Sequence, residues 1–214
     1  MLSVPVKASQ LRKSDTEVIF QKASEYNKTI SWDKLFYALW NKNHDLARHS
    51  ARVAIYSQIL GEKISNCDKF GKQMFIGGLF HDIGKLNFPE ILFTSASALS
   101  GEDLMIAQKH PEDGIGFAKE MNLDDEKVYN IILRHHIRYD LKGYPKSKGS
   151  FQCLGASIVA VCDAMDVMLH GRPYASSKNI EEACDEIKRN SGAQFHPIIS
   201  DCFFDALWDL CSVF

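Results

Sequence analysis

Apolar residues recur along this chain at spacings of three and four, and nowhere do they alternate with polar ones for the length of a strand. No Asn-Gly or Asp-Gly pair joins two alternating runs. The fold class this implies is all-α. The pattern predicts helices over 15–26, 32–42, 44–61, 67–82, 101–121, 124–136, 151–170, 178–190 and 197–212. Ser100 or Asp103, and Asp124 with Lys127, read as helix starts, and Gly61, Gly84 and Gly171 as stops. Two long connections, Lys85 to Gly101 and Arg138 to Ser150, interrupt the helices, and connections of that length inside a compact domain tend to carry function. Residues 1–40 read as an N-terminal helical extension or cap, and 41–214 as a single helical bundle.

Charge narrows what such a bundle can bind. Across 214 residues, 25 Lys and Arg face 27 Asp and Glu, so no general positive field exists to hold a polymeric nucleic acid. An anionic ligand has to be gripped locally. The longest uncharged run, Gly149 to Cys162, is too short to span a membrane, and Met1 to Gln10 lacks the basic start and apolar core of a secretory signal. The expected location is therefore the cytoplasm. Six cysteines without a CxxC pair read as reduced, mostly buried thiols.

Five of eight histidines then demand attention: His49, His81, His110 and the pair His135-His136. His44, His170 and His196 read as ordinary core or surface residues. Asp45 and His49, four apart, share one helix face, as two ligands or as an exposed polar pair. His81-Asp82 ends the apolar run Met74 to Phe80, where two ionisable groups are costly unless a cation compensates them. Lys85 lies one turn on and can reach a phosphate held by the same ion, or simply pair with Asp82. Asp163 breaks a helix that is apolar on nearly every side. A carboxylate there wants a cation. Imidazoles mixed with carboxylates suit iron, manganese or zinc, and five histidines with two or three aspartates exceed the needs of one tetrahedral ion. The inference is two divalent ions, or three, with Asp82 as the bridging carboxylate. Such a pair can arm one water against a phosphodiester, with Lys85 and Arg172 adding positive charge.

The ordered set His49, His81-Asp82-Ile83-Gly84-Lys85, Lys109-His110-Pro111, His135-His136, Gly143-Tyr144-Pro145, Asp163-Ala164-Met165-Asp166, Arg172-Pro173-Tyr174 and Gln194-Phe195 resembles the HD-GYP family of His-Asp metal-dependent phosphohydrolases over roughly residues 44–200. The resemblance implies an all-helical phosphodiesterase hydrolysing cyclic di-GMP to linear pGpG, and onward to GMP, at an iron or manganese centre in a bacterial cytoplasm. It implies His49, His81, Asp82, His110, His135, His136 and Asp163 as metal ligands. Asp45 stands where some members place a glutamate that recruits a third ion. Asp82 and Lys85 become the catalytic groups, while Lys85, Tyr144 and Arg172 would touch substrate. A diguanylate cyclase (GGDEF) domain would dock on the Gly-Tyr-Pro loop. Departures from the family pattern, namely Ile137, Asp140-Leu141-Lys142, Ser95-Ala96 and Ser157, spare every expected ligand and alter the pocket rim.

Three further readings stand beside this one. The substrate can be 3',3'-cyclic GMP-AMP, since nothing in the sequence separates the two bases. The chain can be a nucleotide-sensing adaptor signalling through the Gly143-Tyr144-Pro145 loop. A mononuclear phosphohydrolase would need only His49, His81, Asp82 and Asp163 and leaves the other histidines unexplained. The apolar C-terminal helix with Phe203, Leu207 and Trp208 reads as core or homodimer packing.

Overall fold

The computed structural model describes residues 13–94, 101–146, 151–171 and 177–211. Among these residues the chain forms helices and connecting loops, with one isolated bridge between Ser191 and Phe195, as the all-α expectation requires. In chain order the helices are α1 (Lys13–Tyr26), α2 (Trp32–Lys42), α3 (His44–Ser65), α4 (Asp68–Phe80), a 3-10 helix (Ile83–Asn87), α5 (Ile91–Thr94), α6 (Gly101–Ala107), α7 (His110–Glu120), α8 (Glu126–Arg134), α9 (Leu154–His170), α10 (Ile180–Arg189) and α11 (Pro197–Cys211). No helix of the described residues is long and apolar enough to cross a membrane.

Helix α3 is the axis. It packs against α2, α4, α9 and α11, while α8 closes over α4 and α9. Its register follows from capping: the Asn43 side chain accepts the Leu46 amide at 2.8 Å, which satisfies one of the orphan donors of the first turn. Two apolar clusters flank the α3–α4 pair. One joins Ile19, Trp32, Phe36 and Leu39 of the N-terminal helices to Phe75, Phe80 and Ile132. The other joins Val53, Tyr56 and Met74 to Ile158, Met165, Ile187 and Phe203. At about 1.5–3 kcal/mol for each large side chain taken out of water, these clusters hold α3, α4, α8 and α9 in fixed relation. A polar tie adds to the first cluster: Asp125 accepts Tyr26 Oη at 2.7 Å and Gln73 Nε2 at 2.8 Å while capping the amides of Lys127 and Val128.

Several boundaries differ from the periodicity, each for a physical reason. Gly61 does not stop α3, which runs to Ser65 and ends at Asn66 in the left-handed region, φ 47°. Gly61 sits instead where α4 crosses, and a Cβ there would meet Met74 Cγ at 2.5 Å. The expected helix 101–121 is broken between Ala107 and His110, because Pro111 can neither donate to the carbonyl four residues back nor fit against it, so a new helix starts around it. Helix α4 ends at Phe80, which frees His81-Asp82 to turn inward, and part of the Lys85–Gly101 connection is itself helical. The cap of α8 is Asp125, one residue beyond the expected start.

Candidate metal centre

Three helix ends meet in the interior, and each delivers a histidine in the same manner. His81 follows α4, His135 follows α8, and His110 opens α7 directly after the break that Pro111 imposes. Each ring then donates Nδ1–H to the carbonyl three residues back, left unsatisfied in a helix's last turn: His81 to Gly78 at 2.7 Å, His110 to Ala107 at 2.7 Å, His135 to Ile132 at 2.8 Å. A carbonyl can only accept, so the proton of each neutral ring is on Nδ1 and its Nε2 presents a bare lone pair. His49, on α3, is fixed likewise, its Nδ1 lying 2.7 Å from Asp166 Oδ2.

These lone pairs converge on Asp82. Its Oδ1 lies 3.2 Å from His110 Nε2 and 3.9 Å from His135 Nε2, and its Oδ2 lies 3.4 Å from His81 Nε2 and 3.8 Å from His49 Nε2. One carboxylate thus faces two imidazole sets with its two oxygens. Two groups of ligand atoms, Asp82 with His110, His135 and His136, and His49 with His81 and Asp163, each fit within 4.8 Å. Asp163 Oδ1 stands 3.1 Å from His49 Nε2. In the group around His110 acceptor faces acceptor: His110 Nε2 and His135 Nε2 are 3.1 Å apart with both protons committed elsewhere. The buried atoms His81 Nε2 and Asp82 Oδ1 have no hydrogen-bond partner. His81, Asp82, His110 and His135 are at most 2% exposed, so this arrangement is costly unless cations sit among the lone pairs. The donor set, imidazole nitrogens with carboxylate oxygens, fits divalent transition metals.

Electrostatics divides the two groups. Burial, then the neighbouring imidazoles, push His135 far below its ordinary value; burial and the nearby His110 bring His136 down to about 3, and burial lowers His110 as well. These rings stay neutral and ligand-competent. On the other side burial alone would lower His49, yet Asp163 and Asp166 hold it up at about 9. Burial would raise both carboxylates, but Lys85 and His81 keep Asp82 well below its ordinary range, and His49 does the same for Asp163. Lys85 Nζ contacts Asp82 Oδ2 at 2.5 Å.

Backbone contacts bring the loops onto this cluster. Gly84 packs so tightly on α7 that a Cβ would fall 1.9 Å from the His110 carbonyl oxygen, and Gly143 lies as close to the His136 carbonyl, at 1.8 Å. Tyr144 therefore sits over His136, with ring centroids 4.6 Å apart. Beyond them opens a cavity of about 600 Å³, lined by His136, Tyr144, Asp163, Lys178, Glu186 and Gln194 among others, a size typical of small-ligand sites.

Of the residues expected from sequence, His49, His81, Asp82, Lys85, His110, His135, His136, Tyr144 and Asp163 come together here. Asp45 does not: its side chain is 90% exposed and paired with Arg48 at 3.0 Å, because it sits in the first turn of α3, one turn short of the interior. Arg172 lies outside the described residues. His44 stacks on Trp40 at 4.5 Å, His170 Nδ1 reaches the Asp166 carbonyl at 3.0 Å, and His196 packs against Tyr139 at 5.0 Å. Sequence reasoning missed the orienting pair Asp166 and Arg52, whose guanidinium bonds Asp166 at 2.6 and 2.8 Å. The signal was present: Asp166 is a second carboxylate on the same apolar helix as Asp163, three residues on, and Arg52 lies three residues beyond His49.

The chain is 29% identical over 169 residues to a cyclic di-GMP phosphodiesterase of Thermotoga maritima, covering 78% of this chain and 46% of that protein. It is 29% identical over 136 residues to the 3'3'-cGAMP-specific phosphodiesterase 1 of Vibrio cholerae, covering 63% of this chain and 31% of that protein. The chain thus spans less than half the length of these curated relatives. In fold it is similar to the HDG"Y"P protein Bd1817 of Bdellovibrio bacteriovorus, with TM-score 0.63, 22% identity, and coverage of 92% of this chain and 64% of that one. It is also similar to the HD domain of the L. monocytogenes phosphodiesterase PgpH, with TM-score 0.60, 20% identity, and coverage of 82% and 98%. Residues 36–199 match the HD domain family, and the chain belongs to it.

Proposed function

We propose that the chain is a metal-dependent phosphodiesterase that hydrolyses cyclic di-GMP to linear pGpG and onward to GMP. The observation that carries the reading is the Asp82 carboxylate, which turns one oxygen to His110 and His135 and the other to His81 and His49. That is the arrangement a bridging ligand between two cations needs. Iron or manganese is the proposed metal, two ions per chain. When bound, the pair would supply charge neutralisation at phosphorus and an acidified water as nucleophile.

The protein's own groups position and compensate. Asp166, held by Arg52, fixes the His49 ring; the carbonyls of Gly78, Ala107 and Ile132 fix the other three. Lys85, beside Asp82, would meet the scissile phosphate and carry part of its developing charge. Tyr144, over His136, would form a wall of the substrate site, and Arg172 would hold a phosphate. A cytoplasmic setting fits the free thiols of Cys67, Cys153, Cys162, Cys184 and Cys202. Exposed Tyr139, Leu141 and Phe151 support docking of a diguanylate cyclase domain beside the Gly143–Pro145 turn, and exposed Ile198 and Trp208 on α11 support a homodimer.

The test is hydrolysis by the purified chain, loaded with iron or manganese under reducing conditions, followed chromatographically. Cyclic di-GMP should be linearised by the wild type and left intact by His81→Ala. Cyclic di-GMP left intact by the loaded wild type would overturn the reading. The Vibrio cholerae relative favours 3',3'-cyclic GMP-AMP as a second substrate for the same assay.

A further inference from the structure

Resting on the proposed cyclic dinucleotide activity, we infer that the cavity wall made by Glu186, Asn190 and Gln194 reads the Watson–Crick edge of a guanine base and selects it over adenine. A carboxylate is an unexpected group in the wall of a pocket for an anionic ligand, since it repels phosphate. Beyond its pairing with neighbouring side chains, it can serve only a ligand group that donates hydrogen bonds. Glu186 on α10 and its C-cap residue Asn190, four positions on, line the cavity, and Gln194 lines it from the turn that follows.

The free donor and acceptor positions of this trio follow from the partners already made. Glu186 Oε2 accepts Arg189 Nη2 at 2.7 Å and Lys178 Nζ at 3.2 Å, which fills both of its lone pairs and keeps the carboxylate ionised. Glu186 Oε1 accepts only Asn190 Nδ2, at 3.0 Å, among the hydrogen bonds of the described residues, and retains one acceptor position. Asn190 Nδ2 also donates to the Glu186 carbonyl at 2.9 Å. Both partners are pure acceptors, so the amide orientation is fixed and Asn190 Oδ1 faces away as a second acceptor. Gln194 Oε1 accepts Arg138 Nη1 at 3.4 Å, and Arg138 is itself anchored on Asp140 by two 3.0 Å bonds. An arginine only donates, so the Gln194 amide is fixed as well, with its NH₂ left to donate.

The wall therefore offers one donor and two acceptors. Guanine presents their complement: O6 accepts, N1–H and N2–H₂ donate. Adenine presents the N6 amino group beside the bare lone pair of N1, which would face an acceptor of the wall. An acceptor that the bound base shuts off from water, and that faces a lone pair, loses its hydrogen bonds to water and gains none. Binding of guanine on this wall, with a phosphate at the histidine side of the same cavity, accounts for both ends of the site.

The experiment measures affinity of the metal-loaded full chain for hydrolysis-resistant phosphorothioate analogues of cyclic di-GMP, 3',3'-cyclic GMP-AMP and cyclic di-AMP by calorimetry. The wild type should bind the guanine dinucleotide tightest and the adenine one weakest, by a ratio of about 10²-fold. Glu186→Gln and Gln194→Glu should each shrink that ratio about tenfold, the first by weakening an acceptor and the second by placing one where a donor stood. Equal wild-type affinities for guanine and adenine dinucleotides would overturn the inference without any variant. So would an unchanged ratio in either folded variant, checked by circular dichroism. A parallel assay with the hydrolysable dinucleotides separates the two levels. Guanine-selective binding without turnover of any of them sinks the proposed activity and leaves the base reading, whereas equal turnover of all three sinks the base reading and leaves the activity.

Discussion

The two groups of ligand atoms around Asp82 look alike in composition and differ in electrostatics. On the side of His110, His135 and His136 the rings are neutral because burial and mutual proximity forbid their charge. On the side of His49 two aspartates hold the ring protonated up to about 9. A cation entering the first group meets bare lone pairs, whereas one entering the second must displace a proton, so its binding strengthens as pH rises toward 9. One group of ligand atoms is built by removing charge and the other by concentrating it.

The largest expected effect breaks both subsites together. Asp82→Asn keeps the side-chain shape but removes the charge both groups share, and hydrolysis measured at saturating metal should fall on the order of 10²–10³-fold. Asp166→Asn addresses one side alone: the His49 ring loses its anchor, so one ion per chain should bind about 10–100-fold more weakly, by calorimetric titration, while the other is unaffected. If both ions weaken equally, the division is wrong. Gly84→Ala pushes a methyl group into the His110 carbonyl and should cost about 3 kcal/mol of stability in urea unfolding, with loss of the Asp82–His110 approach.

Acidity sharpens the contrast further. In the chelated protein, His136 titrates near 3 when folded and near 6.5 when unfolded, so the unfolded chain takes up the extra proton between those values and stability falls as pH drops. The His136 share of the loss from pH 6.5 to 5 should be about 2 kcal/mol by thermal unfolding, and His136→Gln should remove that share while His135 and His110, lowered likewise, keep theirs. His49 has the opposite sign: its contribution is complete below 6.5 and is lost as pH rises through 9. The smallest effect lies far from the ions. Tyr26→Phe deletes one bond to Asp125, about 1 kcal/mol, and should lower Tm by about 2–4 °C with both metal affinities unchanged.

Much of this site was legible in sequence, for a definite reason. Histidine and aspartate at the ends of apolar runs are expensive, and the chain places His81-Asp82 and Asp163 where the cost is highest. What stayed hidden needed the third dimension. Gly61 looks like a stop until Met74 is seen crossing it, and the break before His110 depends on Pro111, whose effect reaches backward along the chain. Asp45 has the right spacing from His49, yet spacing says nothing about which turn of α3 reaches the interior. Asp166 and Arg52 each lie three residues from an expected ligand, yet only packing of α9 on α3 shows that they join at His49.

Whether the Asp82 carboxylate joins two cation sites is read out by elemental analysis of anaerobically purified protein. Wild-type protein should carry two divalent ions per chain, and Asp82→Ala should lose both. A single ion per chain, or two ions retained after Asp82 is removed, would contradict the bridging role.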